Sequence, residues 1–481
     1  MLSNVWNHSI VKVKSTFFNF VSALKTKPFA EIYLYIVLLL FPTLPAFFVI
    51  FDSRVTTFIA LGCLALIFTA PQLYRIRISL PKIIIILVIF FSYVFCAIAN
   101  NELFTSGFLS FVSTYLVVPI YFAVLVDTKE KFDRCATILI ISGLILCFFS
   151  LFELFFQFNI FSLIETVDMG AVGSGSSARE GLYRIESSFG QAIAFGIYLS
   201  FMVCLSFYKL FRKENQSNLK QNIYLTILFI FNLFVFLTYS RFPLVVVLLA
   251  DIIMFFKLNK KSKIKALIGV AVIATFIVLV TLVKGSSMFV TVFDNIISIF
   301  KGTSNRSQEN TAGYRLSLFK FAKQVIGNDF VFGRGLHVNT FFIHKSPNYG
   351  LLHGESFDNG YVYLFLQQGI LGVIVWIVFC YYVIASCVLS YKKGFNDDIN
   401  FPVLMIVIIC LANMFSVARL DESRAFMVII GCYLGMDINL YKIEQDEPNS
   451  ANKKPSKIKE FLARFKFKNN KNNATQNGEQ A

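Results

Sequence analysis

Charge is what this sequence has least of. Only 15% of its 481 residues are charged, against about 25% in an ordinary soluble domain. There are 2 tryptophans and 4 histidines, and no CxxC or other zinc-ligand spacing, so no metal site is expected. The 9 cysteines do not read as a disulfide framework. Cys63, Cys96, Cys147 and Cys204 lie inside apolar runs, where a thiol behaves as a small core residue. Residues 1–27 are polar and basic with no small-residue cleavage site after them, so no cleavable signal peptide is expected. Acidic residues are scarce too: 28 against 44 Lys and Arg, a net charge of +16. That excess does not point to nucleic acid. The cations fall in short loops between apolar runs and at the termini, where they set membrane topology.

What is present is apolar surface. The chain is 56% hydrophobic, holds 57 phenylalanines and has a mean hydropathy of +0.67. Lipid is the solvent such a chain fits. A spanning helix takes about 20 mainly apolar residues, and about twelve such runs occur: 31–50, 54–71, 83–99, 108–126, 136–158, 189–208, 222–239, 242–256, 266–283, 369–390, 401–418 and 425–441. The loops 74–82, 127–134, 209–220, 257–265 and 391–398 are basic or charged, whereas 100–107 has no Lys or Arg. Every second loop obeys the positive-inside rule if both termini are cytoplasmic.

The expected organisation is an all-α polytopic membrane protein. A basic N-terminus (1–30) precedes nine spans (31–283), which enclose an outward loop at about 159–188. A large outward loop (284–368), three more spans (369–441) and a basic tail (442–481) follow. Long outward loops usually carry function. Residues 310–335 read as an amphipathic helix and a Gly-rich turn, and 358–368 as a short helix entering the next span. In the tail, 457–468 puts Ile458, Phe461, Leu462 and Phe465 on one face with basic residues opposite. That fits a helix on an anionic membrane surface; a solvated tail fits the composition equally. Residues 6–25 carry a weaker version of the pattern.

Outward arginines run against the positive-inside rule, and an arginine near a span is costly. Arg241 sits where two apolar runs meet, with Arg184, Arg315, Arg334, Arg419 and Arg424 on the same expected side. Arg241 reads either as a snorkelling or structurally paired residue, with Glu153 or Asp251 as partner, or as part of an anion site. Guanidinium binds phosphate oxygens in bidentate fashion and does not deprotonate. Asp358 reads as the cap of a helix starting at Asn359, or as a general base or orienting acid beside the arginines. His337, His344 and His353 have spacings of seven and nine residues, which match no common zinc site; they read as loop histidines.

These stretches resemble the O-antigen polymerase and ligase superfamily. "YSRFPLVVVLLA" (239–250) resembles its SRG helix start, and "GYRLSLFKFAKQVIGNDFVFGRGL" (313–336) its R-L-x-x-W…PxxGxG segment. "FDNGYVYLFLQQGILG" (357–372) resembles HNxxLxxLxxxGxxG, and "YRIESSFGQAIAFGIYL" (183–199) resembles R-x-x-G-x-F-x-x-P. The motifs appear in the family's order over roughly 180–390. SRF replaces SRG and FVFGRG replaces PxxGxG. Asp358 stands where the ligases have His, which is closer to the polymerase (Wzy-type) branch.

The resemblance implies a GT-C-like membrane glycosyltransferase in the bacterial inner membrane that needs no cofactor. Its partners would be undecaprenyl-pyrophosphate-linked oligosaccharides and membrane lipids, with a chain-length regulator as a further candidate. It would transfer a growing glycan from undecaprenyl pyrophosphate to an incoming lipid-linked unit. Asp358 would be base or orienting group, with His353 as fallback. Arg241, Arg315 and Arg184 would hold pyrophosphate, and Arg334, Asn359, Arg419 and Arg424 would be further substrate contacts. The rivals are a ligase using a lipid A core acceptor and, from another class, a flippase. The flippase fits less well: transporters place charge near the midplane and often repeat internally, and no repeat is seen.

Overall fold

A backbone in lipid must satisfy its own hydrogen bonds, so long apolar runs become helices. The computed structural model describes residues 29–45, 48–50, 53–69, 80–164, 166, 183–212, 217–271, 318–320, 322–323, 325–335, 343–346, 350–353, 359–392, 397–416 and 425–436. The tail 442–481 and residues 6–25 lie outside them. The helices are α1 (Phe29–Thr43), α2 (Val55–Thr69), α3 (Leu80–Ala99), and α4 (Ser106–Val112), which continues through a π-helical turn (Ser113–Val117) into α5 (Val118–Leu125). Then come α6 (Lys129–Phe156), α7 (Ala192–Phe211), α8 (Asn218–Leu237), α9 (Arg241–Phe255) and α10 (260–271). The last three are α11 (Gly360–Lys392), α12 (Asp397–Asn413) and α13 (Ala425–Met436).

Each of the twelve apolar runs overlaps a helix. Among the described residues, five helices are long and apolar enough to cross a membrane: Gly107–Leu125, Lys129–Phe156, Ala192–Phe211, Asn218–Leu237 and Gly360–Lys392. The protein is a helical, polytopic membrane protein. Two short antiparallel hairpins depart from the all-α expectation: β1 (Val49–Ile50) with β2 (Ser53–Arg54), and β3 (Ile343–Ser346) with β4 (Gly350–His353). His353 is paired with Ile343 and His344 with Leu352, so both histidines lie on strands rather than in irregular loop.

The centre of the bundle is α7, buried along nearly its whole length and packed by α6, α8, α9 and α12. α13 lies against α5. Its Gly431 and Gly435 face the backbone of Pro119, Ala123 and Val126, where a Cβ would collide. Small residues four apart are the usual means of close helix approach in lipid, where dispersion replaces the hydrophobic drive.

The helix ends sort their polar groups onto two faces. On one face Arg134 pairs with Glu31 (2.9 Å), Lys129 with Asp398 (2.8 Å), and Lys209 and Arg212 share Asp133. Lys257 lies over the rings of Tyr391 and Phe401, and buried Lys82 donates to the Leu434 carbonyl (2.8 Å). All five loops read as basic or charged in the sequence contribute to this face. α1 starts there and α13 ends there. The candidate site lies on the opposite face.

Candidate active site

α6 ends in a left-handed cap at Gln157 (φ 51°, ψ 34°). One turn before that end, Glu153 points inward and is 2% exposed. A buried carboxylate is tolerable only if its oxygens are bonded. They accept the backbone N–H groups of Glu186 (2.9 Å) and Ser187 (2.8 Å), and the Tyr183 hydroxyl donates at 3.4 Å. Asn159 Nδ2 donates to Ser187 O (2.9 Å), and Ser188 Oγ donates to Pro42 O at the end of α1 (2.9 Å). Residues 183–189 are thus tied across the ends of α1 and α6, immediately before α7.

Arg184 extends from this segment to the turn between α8 and α9. Its Nε donates to Thr238 O (3.1 Å) and its Nη2 to Ser240 Oγ (3.0 Å). Tyr239, at the middle of the turn, takes a left-handed φ of 47°, which is strained for an aromatic residue. Ser240 occupies the N-cap of α9, a position where a hydroxyl normally accepts from the first turn. Here it makes no such cap bond; its hydroxyl accepts from Arg184 and donates to Thr238 O (3.3 Å). Arg241 is the first residue of α9. The N–H groups of Arg241 and Phe242 therefore lack the Ser240 cap, and Arg241 begins the helix at the end where the dipole favours an anion.

Glu186 sits in the same knot of charges. Burial, and then the neighbouring Glu153 charge, push its carboxyl up to about 7, while Arg184 pulls the other way. Burial also raises the Tyr183 phenol.

The "FGRG" and "QQGILG" stretches meet at a break in α11. Gly369 takes φ 65°, ψ −161°, splitting a short helix from the long one behind it. A break in a helix orphans carbonyls before it and N–H groups after it. The turn at 331–335 takes up several of them. Arg334 N–H bonds Leu366 O (2.7 Å), Gly335 N–H bonds Gln367 O (3.2 Å), and Leu371 N–H bonds Val331 O (3.3 Å). Cys96 Sγ on α3 contacts Gln368 O (3.6 Å), and Asn100 Nδ2 donates to Gly333 O (3.3 Å). Gly333 and Gly369 both have positive φ, and a Cβ at either would strike the opposing backbone. Before the turn, Leu318, Ala322 and Ile326 pack on Val362 and Leu366. The described part of the amphipathic stretch expected over 310–335 is thereby docked on the short helix of α11; residues 310–317 lie outside the described residues.

That short helix is capped by Asn359, which corrects the expectation that Asp358 is the cap. Asn359 is fully buried, and its Oδ1 accepts from Tyr361 N (3.1 Å) and Val362 N (3.2 Å). Gly360 N–H bonds Met414 O (2.6 Å), and Tyr361 Oη donates to Leu411 O (2.7 Å). α11 is pinned in this way to the end of α12. Asn359 was expected to touch substrate; its side-chain oxygen is spent on the cap.

Of the other expected site residues, Arg184 and Arg241 are brought together on one turn. Arg334 sits on the stitched turn with Nε 3.2 Å from Asp329 Oδ2, and His353 is on β4. Asp358, Arg315, Arg419, Arg424 and His337 lie outside the described residues. The suggested partners of Arg241 are placed differently. Glu153 is engaged by Glu186, Ser187 and Tyr183. Asp251 lies ten residues along α9 from Arg241, about 15 Å of helix rise away. Among the described residues, no group of three or more His, Cys, Asp or Glu could hold a metal ion.

Residues 224–377 match the family model described as O-antigen ligase. Over these residues the chain is similar to that family, and the match supports the O-antigen ligase and polymerase superfamily. The matched segment contains the Thr238–Arg241 turn, the stitched glycine turn, β3 and β4, Asn359 and the Gly369 break. No curated protein matches the chain. The family supports an enzyme of glycosyltransferase type acting on lipid-linked glycans.

Proposed function

We propose that the protein is a polymerase of lipid-linked oligosaccharide repeat units in the bacterial inner membrane. Twelve spans would put both termini in the cytoplasm and the Arg241 face outside. The acceptor is a hydroxyl on an incoming lipid-linked unit. Its oxygen attacks the anomeric carbon of the growing glycan, and its proton passes to Asp358. The bond from that carbon to the pyrophosphate oxygen breaks, and undecaprenyl pyrophosphate leaves. Charge grows on the leaving group, so fixed cations beside it lower the barrier. Arg241 is the residue assigned to it, with Arg315 from the long loop. Arg184 orients the turn.

The observation that carries this reading is Arg241 at the N-terminus of a helix whose capping serine is turned towards Arg184. It is an anion site by both charge and dipole. A second reading, ligation of glycan to lipid A core, is favoured by the description of the matching family, O-antigen ligase. Asp358 in place of the ligase histidine argues for the polymerase. Purified protein in lipid vesicles, given lipid-linked repeat units alone, is expected to produce a ladder of longer glycans. Product formed only when lipid A core is added would overturn polymerisation in favour of ligation.

A further inference from the structure

Glu153 has no part in the chemistry just described, yet among the described residues of the site face it is a buried acid with three hydrogen bonds. We propose that Glu153 is the positioning residue of this site: its grip on Glu186 and Ser187 sets Arg184, and through Arg184 the turn that presents Arg241. The inference rests on Arg241 as the pyrophosphate ligand, and it names what holds Arg241 in place.

The contacts form a continuous path. Glu153 on α6 accepts from the N–H groups of Glu186 and Ser187 at 2.9 and 2.8 Å. Those amides lie just ahead of α7, and the backbone there is in an unusual state: Ser187 has φ 51° and Gly190 φ 64°. A left-handed non-glycine residue persists only where its surroundings over-determine it, and here the carboxylate binds the peptide N–H groups on either side of Glu186, fixing the chain as it enters Ser187. Two residues upstream, Arg184 leaves the same segment and binds Thr238 O and Ser240 Oγ. Ser240 directly precedes Arg241 and is the N-cap of its helix. Two backbone N–H bonds to Glu153 and two bonds from Arg184 therefore connect α6 to the first turn of α9.

Packing alone does not explain the acid. A leucine would fill the space at lower desolvation cost, but it would leave two buried amides without an acceptor. An acid whose oxygens bond backbone fixes the path of the chain, which is the requirement for a guanidinium that must meet a developing charge within a fraction of an ångström. The sequence separation of 33 and 34 residues between Glu153 and its amides makes this a tertiary device rather than a local cap.

The test uses the full chain in lipid nanodiscs, with amide hydrogen exchange read over 183–189 and over the turn at 238–242. Glu153→Leu is expected to accelerate exchange in both segments by about tenfold or more. Arg184→Lys should accelerate only the second. With lipid-linked repeat units as substrate, Glu153→Leu should lower kcat by about tenfold to 100-fold with little change in KM, the pattern of a misaligned catalytic cation. Glu153→Gln keeps one accepting oxygen and should fall between wild type and leucine in both readouts. Should Glu153→Leu not fold, the glutamine variant decides. Exchange at 238–242 that stays as in wild type while 183–189 opens would overturn the link to Arg241. So would a kcat that drops only in proportion to folded protein. The exchange arm does not depend on the reaction: wild type without transferase activity but with the coupled exchange pattern would sink the polymerase reading and leave the positioning role standing.

Discussion

On the basic face Lys209 and Arg212 share Asp133, and Lys129 meets Asp398. On the opposite face Glu153 binds two backbone amides, and Arg184 binds a carbonyl and a hydroxyl. The first arrangement cancels charge with charge. The second adds neutral partners, and these particular contacts fix position without themselves cancelling charge, although Arg184 also feels the Glu186 carboxyl. Ion pairs at helix ends secure a bundle and its orientation. Charges fixed by dipoles are what a site needs if it is to meet a charged ligand.

The largest test of this contrast is sidedness. Reporter fusions after Gly302 and Ser346 should be active outside the cytoplasm, and one after Lys261 should not. The reversed pattern would place Arg241 against the cytoplasm and remove the outer-leaflet substrate. Next in size is Asp358. Since Asn359 supplies the cap, Asp358→Asn leaves capping intact and changes only charge and proton acceptance. Polymer output should fall about 100-fold or more, the scale of general base catalysis. Wild-type output would move the assignment to His353.

Arg241→Lys keeps the charge but loses the fork of donors. Charged hydrogen bonds contribute about 1.5–3 kcal/mol each, so a loss of roughly tenfold or more in rate is expected at equal protein levels. Full activity in both Arg241→Lys and Arg241→Ala would reduce the residue to a topological anchor. On the other face, Asp133→Ala should behave in the opposite way. It strands buried Lys209 and Arg212, and removing one member of such a network costs about 3 kcal/mol or more. Thermal unfolding should shift down while turnover per folded molecule stays the same. A selective loss of turnover would erase the distinction between the faces.

Much of the scaffold was legible because lipid leaves the chain few options. Apolar runs must be helices, and charged loops mark one side. Arg241 stood out because arginine on the side read as outward breaks that rule. Glu153 did not stand out as a clamp: the sequence shows an acid in a helix, and its true partners are amides more than thirty residues later. The cap was misplaced by one residue, within the usual uncertainty of helix ends. Only long-range geometry identifies Asn359, whose side chain bonds forward while Gly360 N–H reaches Met414. The boundary at Gly369 was read, as a short helix over 358–368 entering a span at 369–390, but its left-handed break was not. A lone glycine in an apolar pattern reads as a tolerated helix residue until the 331–335 turn is seen to take up carbonyls and an N–H around the break.

The smallest expected effect concerns pH. Glu186 is buried beside Glu153 and Arg184, with Tyr183 close by, and its carboxyl is pushed up to about 7 from an ordinary value of 4.5. Its neutral form is therefore favoured in the folded state. The sign follows from linkage: between 4.5 and about 7 the unfolded chain ionises while the folded one holds its proton. The stability Glu186 contributes is fully present below the ordinary value and is lost as pH rises through about 7. The slope in that window is roughly 1.4 kcal/mol per pH unit at most. Glu186→Gln keeps the shape and removes the titration. Thermal unfolding of both proteins in nanodiscs from pH 4.5 to pH 8 should show wild type losing ground to the variant as pH rises. Parallel curves would mean that Glu186 is ionised throughout, and the site face would then carry one more fixed negative charge beside its arginines.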